Sequence, residues 1–87
     1  MKETEAIPLD ELKPEESARV LSISGENDMK QRLEDLGVVR GTKIVCVMKS
    51  PLGDPVAYLI RGAVIALRKE DSHMIAVSKS PWNERYK

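Results

Sequence analysis

Phenylalanine is absent from this 87-residue chain, which holds one cysteine, one histidine, one tryptophan and two tyrosines. A lone cysteine, Cys46, excludes an internal disulfide, so the fold must be held by burial of the 41% of residues that are hydrophobic. Cys46 and His73 together fall short of the three or four soft ligands of a usual zinc site, and no second histidine exists for an i, i+4 grip. So few aromatics weigh against a stacking platform for bases and against an aromatic groove for proline-rich peptides. Net charge is absent too: 14 basic residues balance 14 acidic ones, which argues against a protein that coats nucleic acid or an acidic membrane. The longest apolar runs, Ile44–Met48, Val56–Ile60 and Ala63–Leu67, are far shorter than the roughly 20 residues of a transmembrane helix. The start, Met1-Lys2-Glu3-Thr4-Glu5, lacks the basic-then-apolar order of a secretory signal, and a lone cysteine suits a reducing compartment. The expectation is a cytoplasmic protein that neither inserts in membranes nor binds nucleic acid.

What the chain does contain is unevenly spread. Residues 1–35 carry 10 acids and 5 bases, whereas residues 36–87 carry 4 acids and 9 bases, a split of −5 against +5. Along the N-terminal part, Ile7, Leu9 and Leu12 are spaced by polar residues, and Ala18–Ile23 alternates as a half-buried strand does. Met29, Leu33 and Leu36 then fall at i, i+4 and i+7, predicting a helix with these three on its buried face, Glu26–Lys30 and Asp28–Arg32 as surface pairs, and Gly37 as its terminator. Thr42–Lys49, Val56–Arg61, Ala63–Leu67 and Ile75–Val77 read as strands, separated by the turn-rich Pro51-Leu52-Gly53-Asp54-Pro55, by Gly62 and by the polar Lys69-Glu70-Asp71-Ser72. Short strands, brief turns and one helix predict a mainly β fold, a small and partly closed barrel, as a single domain over 1–78 with a tail at 79–87. In that tail Trp82 and Tyr86 form either a docking element or a frayed end.

The three apolar runs are hydrophobic on both faces, yet a barrel has one interior. With Ile44, Cys46 and Met48 pointing inward, Val45 and Val47 point outward, and the second face needs a cover. The helix and the N-terminal segment are expected to cover most of it, with another protein as the alternative. Catalytic chemistry is thin. Cys46 lies in an apolar strand, where cysteine behaves as a small hydrophobe, so a Cys46/His73 nucleophile–base pair is disfavoured. The carboxylates sit at loop and surface positions; His73, Glu15 and Glu16 are the weak candidates for divalent metal binding, and no cofactor is expected. Gly37-Val38-Val39-Arg40-Gly41-Thr42-Lys43 has the wrong spacing and order for a phosphate loop and follows a helix instead of opening one.

Three blocks in order carry a family signal: Arg32-Leu33-Glu34-Asp35-Leu36-Gly37-Val38-Val39-Arg40-Gly41-Thr42, then Pro51-Leu52-Gly53-Asp54-Pro55, then Ile60-Arg61-Gly62 with Ala66-Leu67-Arg68. Over about residues 5–78 the chain resembles the FeoA-like family, small cytosolic accessory proteins of bacterial ferrous iron uptake. The resemblance implies an SH3-like β-barrel that is no enzyme and acts by contact with the cytosolic G-protein region of the membrane transporter FeoB. It implies turn positions at Gly37, Gly41, Gly53 and Gly62 and core positions at Leu33 and Leu36. A partner patch is expected at Leu52, Arg61, Val45, Val47 and Leu59, with Leu52 either standing exposed or folding back to cap the barrel. The alternative is a metal-responsive module related to the C-terminal domain of iron-dependent repressors, for whose DNA-binding domain the chain has no room. A second copy could cover the outer barrel face as readily as a different protein.

Overall fold

The computed structural model describes residues 6–79; the Trp82/Tyr86 tail lies outside them. Six strands follow one another as β1 (Ala6–Pro8), β2 (Ser17–Ile23), β3 (Lys43–Lys49), β4 (Val56–Ile60), β5 (Ala63–Leu67) and β6 (Ile75–Ser78). A nine-residue helix, α1 (Asn27–Asp35), joins β2 to β3, and a single helical turn, α2 (Lys69–Ser72), joins β5 to β6 where the sequence suggested only a polar turn. All neighbours pair antiparallel in the order β1-β6-β2-β3-β4-β5, leaving β1 and β5 as the sheet edges.

Period-two alternation places Ala18 and Val20, Ile44 and Cys46, Tyr58 and Ile60, and Ile75 and Val77 on the inner face, and all eight are buried. A 3-10 turn at Leu9–Glu11 adds Leu9 and, just after it, Leu12; both are fully buried in the same cluster. Side chains of this kind contribute about 1.5–3 kcal/mol each on full burial. Tyr58 is the largest of those fully buried and the one aromatic in the cluster.

Two strands slip register by one residue. In β2 the pairing with β6 shifts between Val20 and Ser22; in β3 the pairing with β4 shifts between Cys46 and Met48. A bulge of this kind moves later side chains to the other face. Met48 is accordingly not an inward residue: it lies opposite Ala57 and is 59% exposed.

Helix α1 also departs from expectation at its end. Leu33 is buried and Met29 packs partly against the core, but Leu36 is 44% exposed. Leu36 is the last residue before Gly37, whose φ of +100° reverses the chain; the Gly37 amide then donates to Glu34 O at 2.9 Å and the Val38 amide to Leu33 O at 3.0 Å. This is a Schellman termination, in which the residue after the glycine packs back on the helix, so Val38 takes the core position that the i, i+7 spacing assigned to Leu36. Leu36→Lys is therefore expected to change unfolding free energy in urea by no more than about 0.5 kcal/mol, as surface substitutions do. The Glu26–Lys30 and Asp28–Arg32 ion pairs are not formed; such exposed pairs are worth too little to order two long side chains. Gln31 Nε2 instead donates to Asp35 Oδ1 at 3.2 Å, giving that unfavourably placed C-terminal acid a local partner.

Candidate functional site

Strand alternation puts Arg19 and Lys43 directly opposite each other on the outer sheet face, next to the buried Ala18–Ile44 pair. One step along, Val45 lies opposite Leu59 and Leu59 opposite Val64, a cross-strand apolar row over β3, β4 and β5. Arg61 and Gly62 form the two-residue turn that closes the Ile60–Ala63 pair. Both have positive φ, +51° and +85°, the combination of a type I′ hairpin turn, which matches strand twist and suits glycine at its second position. Arg19, Lys43, Val45, Leu59, Arg61 and Gly62, with Gly41 and Thr42, line a shallow cleft of about 420 Å³.

The loop from α1 to β3 braces this cleft. Thr42 Oγ1 donates to Gly37 O at 3.1 Å and accepts from the Val39 amide at 3.1 Å. The Gly41 amide donates to Val20 O, and the Val20 amide to Thr42 O, extending the β2–β3 contact into the loop. Arg19 Nη1 donates to Gly41 O at 2.9 Å. A Cβ on Gly37 would overlap Arg61 Cδ, so the helix terminus and the stem of Arg61 are in direct contact. Among the described residues three cations and no carboxylate line the cleft, a setting that attracts an anionic group beside an apolar stripe.

The structure brings Val45, Leu59 and Arg61 together in this cleft. Val47, on the β3 bulge, and Leu52, at the tip of the β3–β4 loop, do not line it. Leu52 is 93% exposed, so it stands clear of the barrel end instead of capping it. Arg19, Lys43 and Val64 are not singled out by the sequence, and Met48 is expected from it to point inward. Alternation alone places Arg19 and Lys43 on an outer face; that they meet depends on cross-strand register, which no local pattern reports. The expectation that the chain covers its own second face fails over β3, β4 and β5, where Val47, Met48, Leu59 and Val64 are all exposed among the described residues.

The candidate metal ligands do not converge. Glu16 Oε1 accepts from the Lys13 amide at 2.9 Å and Oε2 from Lys79 Nζ at 3.2 Å, bonds that hold its carboxyl below the ordinary range. Glu15 is exposed in that turn at φ +76°, and His73 Nδ1 lies 3.2 Å from Asp10 Oδ1 on another part of the surface. No group of three His, Cys, Asp or Glu suited to a metal ion occurs among the described residues. Cys46 is fully buried, and burial pushes its thiol up, away from the reactive thiolate.

A FeoA domain model matches residues 7–79. The chain belongs to the FeoA family. It is 35% identical over 69 residues to the Fe(2+) transport protein A/Fe(2+) transporter FeoB fusion protein of Porphyromonas gingivalis, a match covering 79% of this chain and 8% of that much longer protein. Among solved structures, the FeoA protein of Chlorobium tepidum superposes with a TM-score of 0.82 at 34% identity, over 92% of this chain and 76% of that one. FeoA of Stenotrophomonas maltophilia, solved in complex with zinc and described as a prokaryotic SH3 domain protein, superposes with a TM-score of 0.71 at 33% identity, over 79% and 86% of the two chains. This chain thus has the SH3-like fold, with the sheet left open between its edges among the described residues. IdeR of T. acidophilum, at 21% identity and a TM-score of 0.76, shares the fold alone. No helix among the described residues is long and apolar enough to cross a membrane.

Proposed function

We propose that this FeoA-family chain is a non-enzymatic cytoplasmic accessory of ferrous iron uptake, acting by protein contact with the cytosolic G-protein region of a FeoB-type transporter. The observation that carries this reading is the Porphyromonas gingivalis relative, in which a segment 35% identical to this chain is joined to FeoB in one polypeptide. Covalent fusion holds two modules at a high effective concentration, which is of use when the separate modules work in contact. The chemistry of the cleft agrees: cations beside an apolar row offer a binding surface, and its one hydroxyl, that of Thr42, is already engaged in two hydrogen bonds. The patch put forward for this contact is Val45, Leu59 and Arg61 with Arg19 and Lys43; the exposed Val47 lies farther along β3, and the exposed Leu52 on the loop at the other end of the β3–β4 hairpin. Titration of the full chain into the FeoB cytosolic region by calorimetry, in its GDP and GTP-analogue states, is expected to show saturable binding in at least one state. Loss of the gene is expected to lower ferrous uptake. No binding in either state together with unchanged uptake would falsify the reading.

A further inference from the structure

The two sheet edges are built differently. Strand β1 is three residues long and ends in Pro8, which has no amide to offer, so that edge is short and blunted. Strand β5, Ala63-Val64-Ile65-Ala66-Leu67, has none of these defences: five apolar residues in unbroken register, with no charge, no proline and no bulge. A pair closing a two-residue turn is a hydrogen-bonded one, so the backbone groups of Ala63, Ile65 and Leu67 face β4 and those of Val64 and Ala66 face away. Neither Val64 nor Ala66 makes a backbone hydrogen bond outside the ladder among the described residues, and Val64 is 64% exposed.

Charge decides what fits this edge. Arg61 stands at one end of β5 and Arg68 at the other; Asp54, whose Oδ1 accepts from the Lys69 amide at 2.8 Å, and Glu70 lie beyond Arg68, past the end of the strand, and residues 61–68 contain no acid. A second copy pairing antiparallel about Ile65 would bring the Arg61 turn of each copy towards the Arg68 end of the other, so that cation meets cation beyond both ends of the paired strands, which is unfavourable. A segment with carboxylates at both ends and apolar residues between meets the opposite situation: its acids reach Arg61 and Arg68, and its side chains continue the Val45–Leu59–Val64 row. We propose that β5 is an open docking edge that takes up an extended segment of a partner protein, apolar in the middle and acidic at both ends, as a further antiparallel strand. This rests on the reading that the chain works by protein contact, and names the edge and the chemistry of what it contacts.

The test uses the full chain and a synthetic peptide, acetyl-Asp-Glu-Val-Thr-Val-Thr-Val-Asp-Glu-amide. Amide exchange by NMR is expected to show Val64 and Ala66 exchanging freely in the chain alone and slowing about tenfold or more at peptide saturation, as newly bonded amides do. Ala66→Pro removes an outward donor while sparing the β4 ladder, and is expected to weaken peptide binding about tenfold or more with the fold's NMR spectrum retained. Arg61→Asn, a residue that tolerates positive φ, combined with Arg68→Gln, is expected to weaken binding and flatten its salt dependence. The proposal is overturned if the peptide does not bind, if Ala66→Pro binds equally well, or if Val64 and Ala66 are already protected in the chain alone, which would make the occupant the chain itself. Ala66→Pro binding FeoB's cytosolic region as tightly as the parent would remove the edge and leave the transporter reading standing; peptide binding without FeoB binding would do the reverse.

Discussion

Tyr58→Ala is expected to remove a large share of the chain's stability. Truncating a fully buried aromatic costs about 3–5 kcal/mol, against a total of about 4–13 kcal/mol for a domain of this length. Tyr58 is hard to replace because it is the cluster's one aromatic side chain and meets both layers of the core, paired with Cys46 across β3–β4 and with its hydroxyl donating to Leu9 O at 3.5 Å. Tyr58→Phe keeps the ring and gives up the hydroxyl's long bond to Leu9 O and its interaction with Ser72, for a cost of about 0.5–1.5 kcal/mol. The two variants also separate an alkaline effect. Burial, the largest influence, pushes the Tyr58 phenol up to about 12 from its ordinary value of 10.0. The folded state thus favours the neutral phenol. Its contribution is fully present below about pH 10, where the unfolded chain also keeps the proton, and is lost between about pH 10 and 12 as only the unfolded chain ionises. A rise of this size is worth about 2–3 kcal/mol. Urea unfolding followed from about pH 9 to about pH 12 is expected to show the parent losing stability more steeply than Tyr58→Phe; parallel curves would show that the phenol is not enclosed as described.

Gly37→Ala is expected to destabilise the chain by about 1–3 kcal/mol through backbone strain, with a further cost from displacing Arg61. At φ +100° an L side chain is strained, and the added methyl would occupy the space of Arg61 Cδ. Gly53→Ala is the control: its φ is also positive, +87°, but nothing lies within 4 Å of the added atom. The excess of Gly37→Ala over Gly53→Ala measures the contact with Arg61, and it should shrink in an Arg61→Asn background. An excess unchanged in that background would mean that the helix terminus does not position the arginine. The same displacement removes a cation from the cleft, so Gly37→Ala is also expected to weaken any anion-dependent association there.

Much of the fold was legible because it follows from local pattern. Alternation in Ala18–Ile23 marks a strand with one buried face, the short apolar runs Ile44–Met48 and Val56–Ile60 mark further strands, and Gly37 marks a helix end. The two misplaced core residues share one cause. Leu36 and Met48 continue a periodicity that the structure interrupts, the first at a reversed glycine terminus and the second at a bulge. Periodicity extrapolates; it carries no sign that the backbone has changed direction or gained a residue.

The short runs rich in β-branched residues, broken by turn formers, marked a mainly β fold without coordinates, and the scarcity of aromatics marked its core as largely aliphatic. Tertiary structure decided where the −5 and +5 halves meet. Arg19, from the acidic half, joins Lys43 and Arg61 from the basic half in one cleft, because antiparallel pairing of β2 with β3 and of β3 with β4 brings residues far apart in the chain side by side. It also decided that β5 is an edge. The composition of Ala63–Leu67 is that of a strand flanked on both sides; only the order of the sheet leaves Val64 and Ala66 facing outward, with backbone groups that the ladder does not use.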